Sequence, residues 1–273
     1  MFGSLVVIYP TAHEGGELIF RHDNHEWKFD TNSLTASQPS PSLAYVAFYS
    51  DIEHEVLKVT SGRRVTVTYN LYLVDPTSKV GAPVDTPSFK GISSLQTTLQ
   101  GLLKSPEFLP EGGTLGFGLA HLYPVTFNTQ LQEMANYLKG ADAHVYQACR
   151  ELQLKPLLQV IYDDSESNRE IGIMMDTIVS PEYDYEGSSY ECALVEEYDG
   201  VPVNKTESSK PEDSVWVAEG KSEGEFITWV SAFNVQSRLE DAHTVAYGNQ
   251  PGVGYIYCSP CLIVRIAAAC DRV

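Results

Sequence analysis

The first 75 residues of the chain contain short apolar runs, rich in β-branched and aromatic residues, that are separated by turn residues such as Gly15-Gly16 and Ser61-Gly62. These runs predict six strands: 4–9, 16–22, 25–30, 44–50, 55–60 and 63–74. Short strands with a turn at intervals of roughly ten residues are typical of a sandwich or a jelly roll. We therefore expect a jelly-roll core in residues 1–75.

The remaining residues, 76–273, mix helical and strand patterns. Four leucines share one face of a helix predicted at 91–105: Leu95, Leu99, Leu102 and Leu103. A second helical region at 129–153 is interrupted at Lys139-Gly140, where a helix stops and a second one follows from Asp142. Strands are predicted at 112–120, 155–163, 225–233, 243–248 and 254–268. The predicted fold class is α+β, with a C-terminal helical and β region of unassigned role.

Composition removes several classes of function. With 273 residues, 43% of them hydrophobic, the chain can bury a sizeable core. A net charge of -18 disfavours a nucleic-acid partner. No apolar stretch reaches the roughly 18 to 20 residues that span a bilayer, so we expect no membrane association. Five scattered cysteines and the lack of a secretory signal pattern favour the cytoplasm or nucleus.

Three other segments could carry a function, but each has a simpler structural interpretation. Cys258 and Cys261 are spaced like half of a zinc site or a redox pair, yet zinc needs four ligands and no second pair occurs. We expect a turn or sheet edge with buried thiols. The acidic, tyrosine-rich segment 181–198 is interpreted as a solvated loop, although it could be an interaction surface. Residues 204–213 have the composition of a flexible loop.

The segment "SDIEHEVLKVTSGRRVTVTYNLYLV" at 50–74 carries the candidate chemistry. His54 and Arg64 lie on two neighbouring predicted strands, which allows both side chains to point into one barrel mouth. A neutral imidazole suits iron, and a guanidinium group binds a carboxylate with two hydrogen bonds. Thr66 follows Arg64 by two positions and therefore shares its strand face, so its hydroxyl can bind the same carboxylate.

The segments "HEGGELIFRH" and "FYSDIEHEVLKVTSGRRVTVTYNLY" resemble the prolyl 4-hydroxylase-type branch of the 2-oxoglutarate/Fe(II)-dependent dioxygenases. Gly15-Gly16-Glu17-Leu18 matches the family's Gly-Gly-x-Leu strand, and His54-Glu55-Val56-Leu57-Lys58-Val59 matches its His-x-Val-x-x-Val motif. The resemblance covers roughly residues 1–75. The rest, including "GGTLGFGLAHLYP", is similar to C-terminal extensions of large, mostly fungal members.

The resemblance implies a double-stranded β-helix that uses Fe(II) and 2-oxoglutarate to hydroxylate a protein or peptide substrate. It assigns His54 as an iron ligand and Arg64, helped by Thr66, as the 2-oxoglutarate anchor. The family's other two iron ligands form a His-x-Asp motif, which is expected upstream of Phe2 and occurs nowhere in the chain. His13 and Glu14 are adjacent in a strand pattern, so they face opposite sides and cannot chelate one ion.

We therefore expect the 273-residue chain not to hold catalytic iron. Two explanations fit this expectation. In the preferred one the jelly roll is N-terminally truncated and its reading frame continues upstream; in the other the chain is a degenerate paralogue. The competing function is a non-catalytic binding or interaction module on the same fold, whose pocket accepts a dicarboxylate through Arg64.

Overall fold

The structure is a computed structural model that shows a mixed α+β protein, mostly strands with few helices. It describes these residues: 2–22, 25–31, 33, 42–72, 90–123, 125–126, 129–163, 170–179, 190–233, 239–247 and 250–272. The chain divides into two compact units, Met1–Asp85 and Thr86–Val273, here called unit 1 and unit 2. The domain boundary predicted after residue 75 lies within 73–89, outside the described residues.

Unit 1 is built from eight short strands in its described part. They are β1 (Gly3–Ile8), β2 (His13–Gly15), β3 (Leu18–His22), β4 (His25–Phe29), β5 (Ala44–Tyr49), β6 (Glu53–Val56), β7 (Val59–Gly62) and β8 (Thr66–Leu71). The strand predicted at 16–22 is β3, the one predicted at 55–60 is divided into β6 and β7, and β2 was not predicted. The positive φ of Gly15 and Gly16, both +74°, separates β2 from β3.

The strands form two three-stranded antiparallel sheets and one two-stranded pair. The order of the first sheet is β5-β1-β8, that of the second is β4-β3-β6, and β2 pairs with β7. In the first sheet Ile8 lies opposite Ala44 and Thr66. In the second sheet Phe20 lies opposite Trp27 and His54. Opposite residues of antiparallel strands project on the same face, so these registers decide which side chains meet.

A buried apolar cluster connects the two sheets. Val6 and Ile8 of β1 join Leu18 and Phe20 of β3, and partly buried residues pack around them: Phe29, Ala44, Val46, Phe48 and Ile52. The registers place His54 and Thr66 on the faces that carry this cluster. Two sheets that share one apolar layer are packed as in a sandwich. The jelly-roll topology itself stays a prediction.

Unit 2 contains four helices and seven strands in its described part. The helices are α1 (Lys90–Lys104), α2 (Gly140–Glu151), α3 (Tyr190–Glu196) and α4 (Val215–Ala218). The strands are β9 (Gly113–Gly118), β10 (Leu157–Asp163), β11 (Ile171–Met175), β12 (Val201–Asn204), β13 (Ile227–Ser231), β14 (Leu239–Tyr247) and β15 (Gln250–Ile266). No helix in the described part of the chain is long and apolar enough to cross a membrane.

The seven strands of unit 2 form one sheet with the order β12-β11-β10-β15-β9-β13, and β14 pairs with β15. Every pairing is antiparallel except the parallel pair of β13 and β9. The larger apolar cluster includes strand residues such as Leu158 and Leu262 together with helix residues such as Leu99 and Leu194. A smaller cluster, which includes Ile161 and Ile263, packs separately.

Cys258 and Cys261 lie in the middle of β15, where Cys258 pairs with β10 and β14 and Cys261 pairs with β10 and β9. Both thiols are buried, as expected, but the predicted turn or sheet edge is wrong. Three positions apart in a strand, the two side chains face opposite sides of the sheet, and they belong to the two different apolar clusters of unit 2. They cannot ligate one metal ion together.

Three further predictions differ in part from the structure. The helical region at 129–153 is a 3₁₀ turn (Leu131–Asn136) followed by α2, which begins at Gly140 rather than Asp142. In the segment 204–213, predicted as a flexible loop, Asn204 ends β12 and is fully buried, and its side-chain amide hydrogen-bonds to both backbone groups of Ile227, while Pro211–Asp213 form a 3₁₀ turn. Of the segment 181–198, residues 181–189 lie outside the described residues, while α3 buries Leu194 and Val195 instead of forming a solvated loop.

Candidate functional site

His54 lies on β6, an edge strand of the second sheet in the described part of unit 1. Its cross-strand neighbour is Phe20, and its ring centroid is 4.7 Å from that of Phe48. Both aromatic residues belong to the apolar layer of unit 1. The side of the imidazole that does not pack on this layer is exposed to solvent.

One hydrogen bond determines the tautomer of this imidazole. Nδ1 of His54 is 3.0 Å from the carbonyl oxygen of Ile52. Because a carbonyl oxygen only accepts, Nδ1 donates its proton, and the lone pair of the neutral ring lies on Nε2. Histidines that bind metals are commonly held in this way, by donation from the other ring nitrogen to a carbonyl or carboxylate. The arrangement suits coordination through Nε2.

Arg64 lies between β7 and β8, and its side chain packs on the backbone of Gly16. Its Nε and Nη2 atoms are buried and have no hydrogen-bond partner among the described residues. Burial lowers the pKa of the Arg64 guanidinium. Arginine nevertheless keeps its charge in proteins. Arg64 is therefore a cation, and one edge of its guanidinium group is buried without a hydrogen-bond partner among the described residues.

The two open atoms of Arg64 form the edge that binds a carboxylate with two parallel hydrogen bonds. Arg265 of unit 2 uses the same edge: its Nε and Nη2 lie 3.0 Å and 2.8 Å from the two carboxylate oxygens of Glu225. A buried donor without a partner costs about 1 to 3 kcal/mol, and more when it is charged. Arg64 can therefore bind an anion at this edge, and the described residues do not provide one.

Thr66 is the first residue of β8 and is partly buried opposite Ile8. Val65, between Arg64 and Thr66, is 44% exposed. Since successive side chains of an extended segment alternate, Arg64 and Thr66 point away from the solvent side that Val65 occupies. The geometry agrees with a shared face, and the role of Thr66 at a bound carboxylate stays a prediction.

The described residues do not by themselves fit an iron centre. No group of three or more His, Cys, Asp or Glu side chains that could hold a metal ion occurs among them. His13, a considered substitute, is 5% exposed, and its Nδ1 and Nε2 lie 2.7 Å from the Thr11 carbonyl and 3.4 Å from the Thr31 hydroxyl. Both of its ring nitrogens are therefore engaged. Its neighbour Glu14 is exposed on the opposite side of β2.

A cavity of about 480 Å³ adjoins His54. Its lining is apolar and comes from β1, β3, β4, β5 and β8, together with the turn at Ile52. Three of the lining residues, Phe20, Phe48 and Ile52, also contact His54 or pair with it. Sequence reasoning missed this cavity because its walls combine five strands. The available signal was an aromatic residue on each of several predicted strands: Phe20, Trp27 and Phe48.

No family model, curated protein or solved structure matches this chain. The functional interpretation therefore depends on the chain's own residues, above all on the buried guanidinium of Arg64 and the imidazole of His54.

Proposed function

We propose that unit 1 is a 2-oxoglutarate-binding jelly roll of the 2-oxoglutarate/Fe(II)-dependent dioxygenase superfamily, of the prolyl 4-hydroxylase type. The observation that carries the proposal is the buried edge of Arg64, whose Nε and Nη2 lack a partner among the described residues. A dicarboxylate such as 2-oxoglutarate satisfies both atoms with one of its carboxylate groups. The family is inferred from the resemblance of the segments around Gly15-Gly16 and His54 to its motifs.

Within this proposal each candidate residue has a separate role. Arg64 binds the far carboxylate of 2-oxoglutarate, and Thr66 donates a hydroxyl hydrogen bond to it. His54 offers Nε2 as an iron ligand, with its ring oriented by the Ile52 carbonyl. In the family, dioxygen gives one oxygen atom to 2-oxoglutarate, which yields succinate and carbon dioxide, and the other to a substrate C–H bond, which is hydroxylated. Since the described residues provide one iron ligand, we assign them binding roles only.

The test is 2-oxoglutarate binding measured by calorimetry for the wild type and Arg64→Gln. A hydrogen bond to a charged group contributes about 1.5 to 3 kcal/mol, so the substitution should weaken binding about 10- to 150-fold. Arg63→Gln is the matched control because this neighbouring arginine is exposed, and its affinity should not change. Pyruvate lacks the far carboxylate and should not bind detectably. Equal affinity of the wild type and Arg64→Gln would refute the proposal.

The second candidate is a non-catalytic module that binds a dicarboxylate through Arg64 without iron. It is favoured by the lack of a three-ligand group among the described residues. Anaerobic Fe(II) titration separates the two functions. An enzyme should bind one iron, lose it in His54→Ala but not in His25→Ala, and release succinate in air. A binding module should retain Arg64-dependent 2-oxoglutarate binding and show no stoichiometric iron site.

A further inference from the structure

The pairing of β6 with β3 leaves the main chain of His54 without a hydrogen bond to β3. Just beyond the two strands, the N–H of Leu57 donates to the carbonyl oxygen of Glu17 at 2.9 Å, so these two residues are a hydrogen-bonded pair. Pairs along an antiparallel ladder alternate in type, so the pair of His54 and Phe20, three positions further along, is non-hydrogen-bonded. In the described part of the chain β6 pairs only with β3. The position of His54 therefore depends on the residues on either side of it.

These flanking residues, Glu53 and Glu55, are both bound by the guanidinium group of Arg21. Nη1 of Arg21 lies 3.2 Å from Oε1 of Glu53, and Nη2 lies 3.1 Å from Oε2 of Glu55. Nε of Arg21 lies 2.8 Å from Oε2 of Glu26 on β4, so each nitrogen of the group has its own carboxylate. One side chain of the central strand therefore connects all three strands of the second sheet.

The ion cluster and the imidazole occupy opposite faces of this sheet. The register pairs Arg21 with Glu53 and Phe20 with His54, and successive side chains of a strand point to opposite faces. The ring centroid of His54 is 4.7 Å from that of Phe48, which belongs to the apolar layer on the face away from Arg21. Arg21 therefore acts on the imidazole through the strand that carries it.

The attachment matters because β6 is weakly held. Isolated ion pairs at a protein surface contribute little, but several charges that form one network contribute more. Here one cation holds two residues of a strand that is four residues long and has one neighbouring strand in the described part of the chain. Short segments with few neighbours open locally at a low cost in free energy. Without Arg21, the like charges of Glu53 and Glu55 would also repel each other.

We propose that Arg21 is a positioning residue for His54. By holding Glu53 and Glu55 on the face opposite the apolar layer, it keeps β6 in place. The imidazole then stays against that layer, with Nδ1 donating to the carbonyl of Ile52 and the lone pair on Nε2. The use of this lone pair rests on the proposed function, whereas the positioning of the ring does not.

The test is NMR spectroscopy of the full chain with isotope-labelled histidine at about pH 8, where histidine rings are mostly neutral. Ring nitrogen shifts identify the tautomer, and ring proton shifts report the neighbouring ring of Phe48. His54→Ala assigns the His54 signals. The wild type should show one tautomer, with the proton on Nδ1. In Arg21→Gln the His54 signals should move to those of a mixture of both tautomers, as in free histidine, and the shift caused by Phe48 should be lost.

Two controls separate positioning from general stability. His13 lies on β2, outside the second sheet, and its ring is held by Thr11 and Thr31, so its signals should not change in Arg21→Gln. Glu26→Gln removes the partner of Arg21 on β4 and leaves both partners on β6, so His54 should give wild-type signals.

The double variant Glu53→Gln/Glu55→Gln provides a second test if Arg21→Gln does not fold by circular dichroism. It keeps the arginine and removes both of its carboxylate partners on β6. The His54 signals should change in the same direction as in Arg21→Gln, and those of His13 should again stay constant.

Several outcomes would overturn the inference. They are wild-type His54 signals in folded Arg21→Gln or in the double variant, an equal change in Glu26→Gln, and a simultaneous change of the His13 signals. The same proteins are titrated with 2-oxoglutarate by calorimetry. Arg21→Gln should keep the wild-type affinity, because Arg64 does not belong to the second sheet. Failure of the wild type to bind 2-oxoglutarate refutes the proposed function alone, since the NMR signals of His54 do not depend on it.

Discussion

The side chain of Arg64 packs directly on the backbone of Gly16. A Cβ at Gly16 would lie 2.8 Å from Cδ of Arg64 and 2.9 Å from Cγ2 of Val59, and the residue has a φ of +74°. The adjacent Gly15 is restricted differently, because its Cβ would meet the carbonyl oxygen of Lys58 at 2.3 Å. The paired glycines thus allow β7 and the arginine to approach the same turn. This contact holds the guanidinium in its buried position.

The first prediction concerns Gly16→Ala. The added methyl group clashes with Arg64 and the positive φ is strained for alanine, so we expect a loss of about 1 to 3 kcal/mol in the free energy of unfolding. Displacement of Arg64 should also weaken 2-oxoglutarate binding at least about 10-fold. Urea unfolding and calorimetry measure the two effects.

Gly220→Ala is the control for backbone strain. Gly220 has a φ of +72°, but no heavy atom lies within 4 Å of its Cβ position. The substitution should cost about 1 to 2 kcal/mol from strain alone and leave 2-oxoglutarate affinity unchanged. Equal effects of the two substitutions on ligand affinity would contradict the steric role of Gly16.

A second prediction concerns the carboxylate of Asp142 in the first turn of α2. It accepts hydrogen bonds from the backbone N–H groups of Ala120 at 2.9 Å and His121 at 3.1 Å, and from the hydroxyl of Tyr123 at 2.8 Å. Asp142→Asn turns one acceptor oxygen into a donor that faces other donors. We expect a loss of about 1 to 3 kcal/mol in urea unfolding.

Glu151→Gln is the matched control for Asp142→Asn, because Glu151 is an exposed acid at the end of the same helix. The free energy of unfolding of Glu151→Gln should differ from that of the wild type by less than about 0.5 kcal/mol. A comparable loss of stability in both variants would show that Asp142 stabilises the protein through its charge and not through its buried hydrogen bonds.

The third prediction is the order in which the cysteines react. Burial raises the pKa of the Cys149 thiol to about 11 and that of Cys258 to about 12, and it also raises the pKa of Cys261. Thiolates are the reactive form, so these three should react with a disulfide reagent at pH 8 only after unfolding. Cys270 is exposed and should react first, followed by the partly buried Cys192. Cys270→Ser should remove the fast phase; its persistence would contradict this order.

A fourth prediction separates two glycines of unit 2 by their surroundings. Gly101 lies within α1, and no heavy atom is within 4 Å of its Cβ position. Gly101→Ala should therefore stabilise the protein by about 0.5 to 1 kcal/mol, since alanine has the higher helix propensity. Gly116→Ala in β9 should destabilise it by about 1 to 3 kcal/mol, because a Cβ there would lie 2.5 Å from the Trp229 ring. Thermal unfolding distinguishes the two, and a stabilised Gly116→Ala would contradict the packing.

The predicted elements were most accurate where periodicity was strong. The helix expected at 91–105 is α1, and the strand expected at 44–50 is β5. In unit 2 two strands were missed, β11 and β12, because each is short and lies next to acidic or loop-like sequence. Both are stabilised by pairing with each other and, for β11, with β10. Such pairing joins distant segments and leaves little trace in local composition.

The sequence by itself predicted most of the strands of unit 1 and selected His54, Arg64 and Thr66 as candidates, because side-chain alternation along a strand is a local property of the backbone. Only the tertiary structure decided that the edge of Arg64 is buried without a partner, that both nitrogens of His13 are engaged, and that an apolar cavity adjoins His54. Burial and hydrogen-bond partners depend on contacts between residues far apart in the chain, as between Gly16 and Arg64.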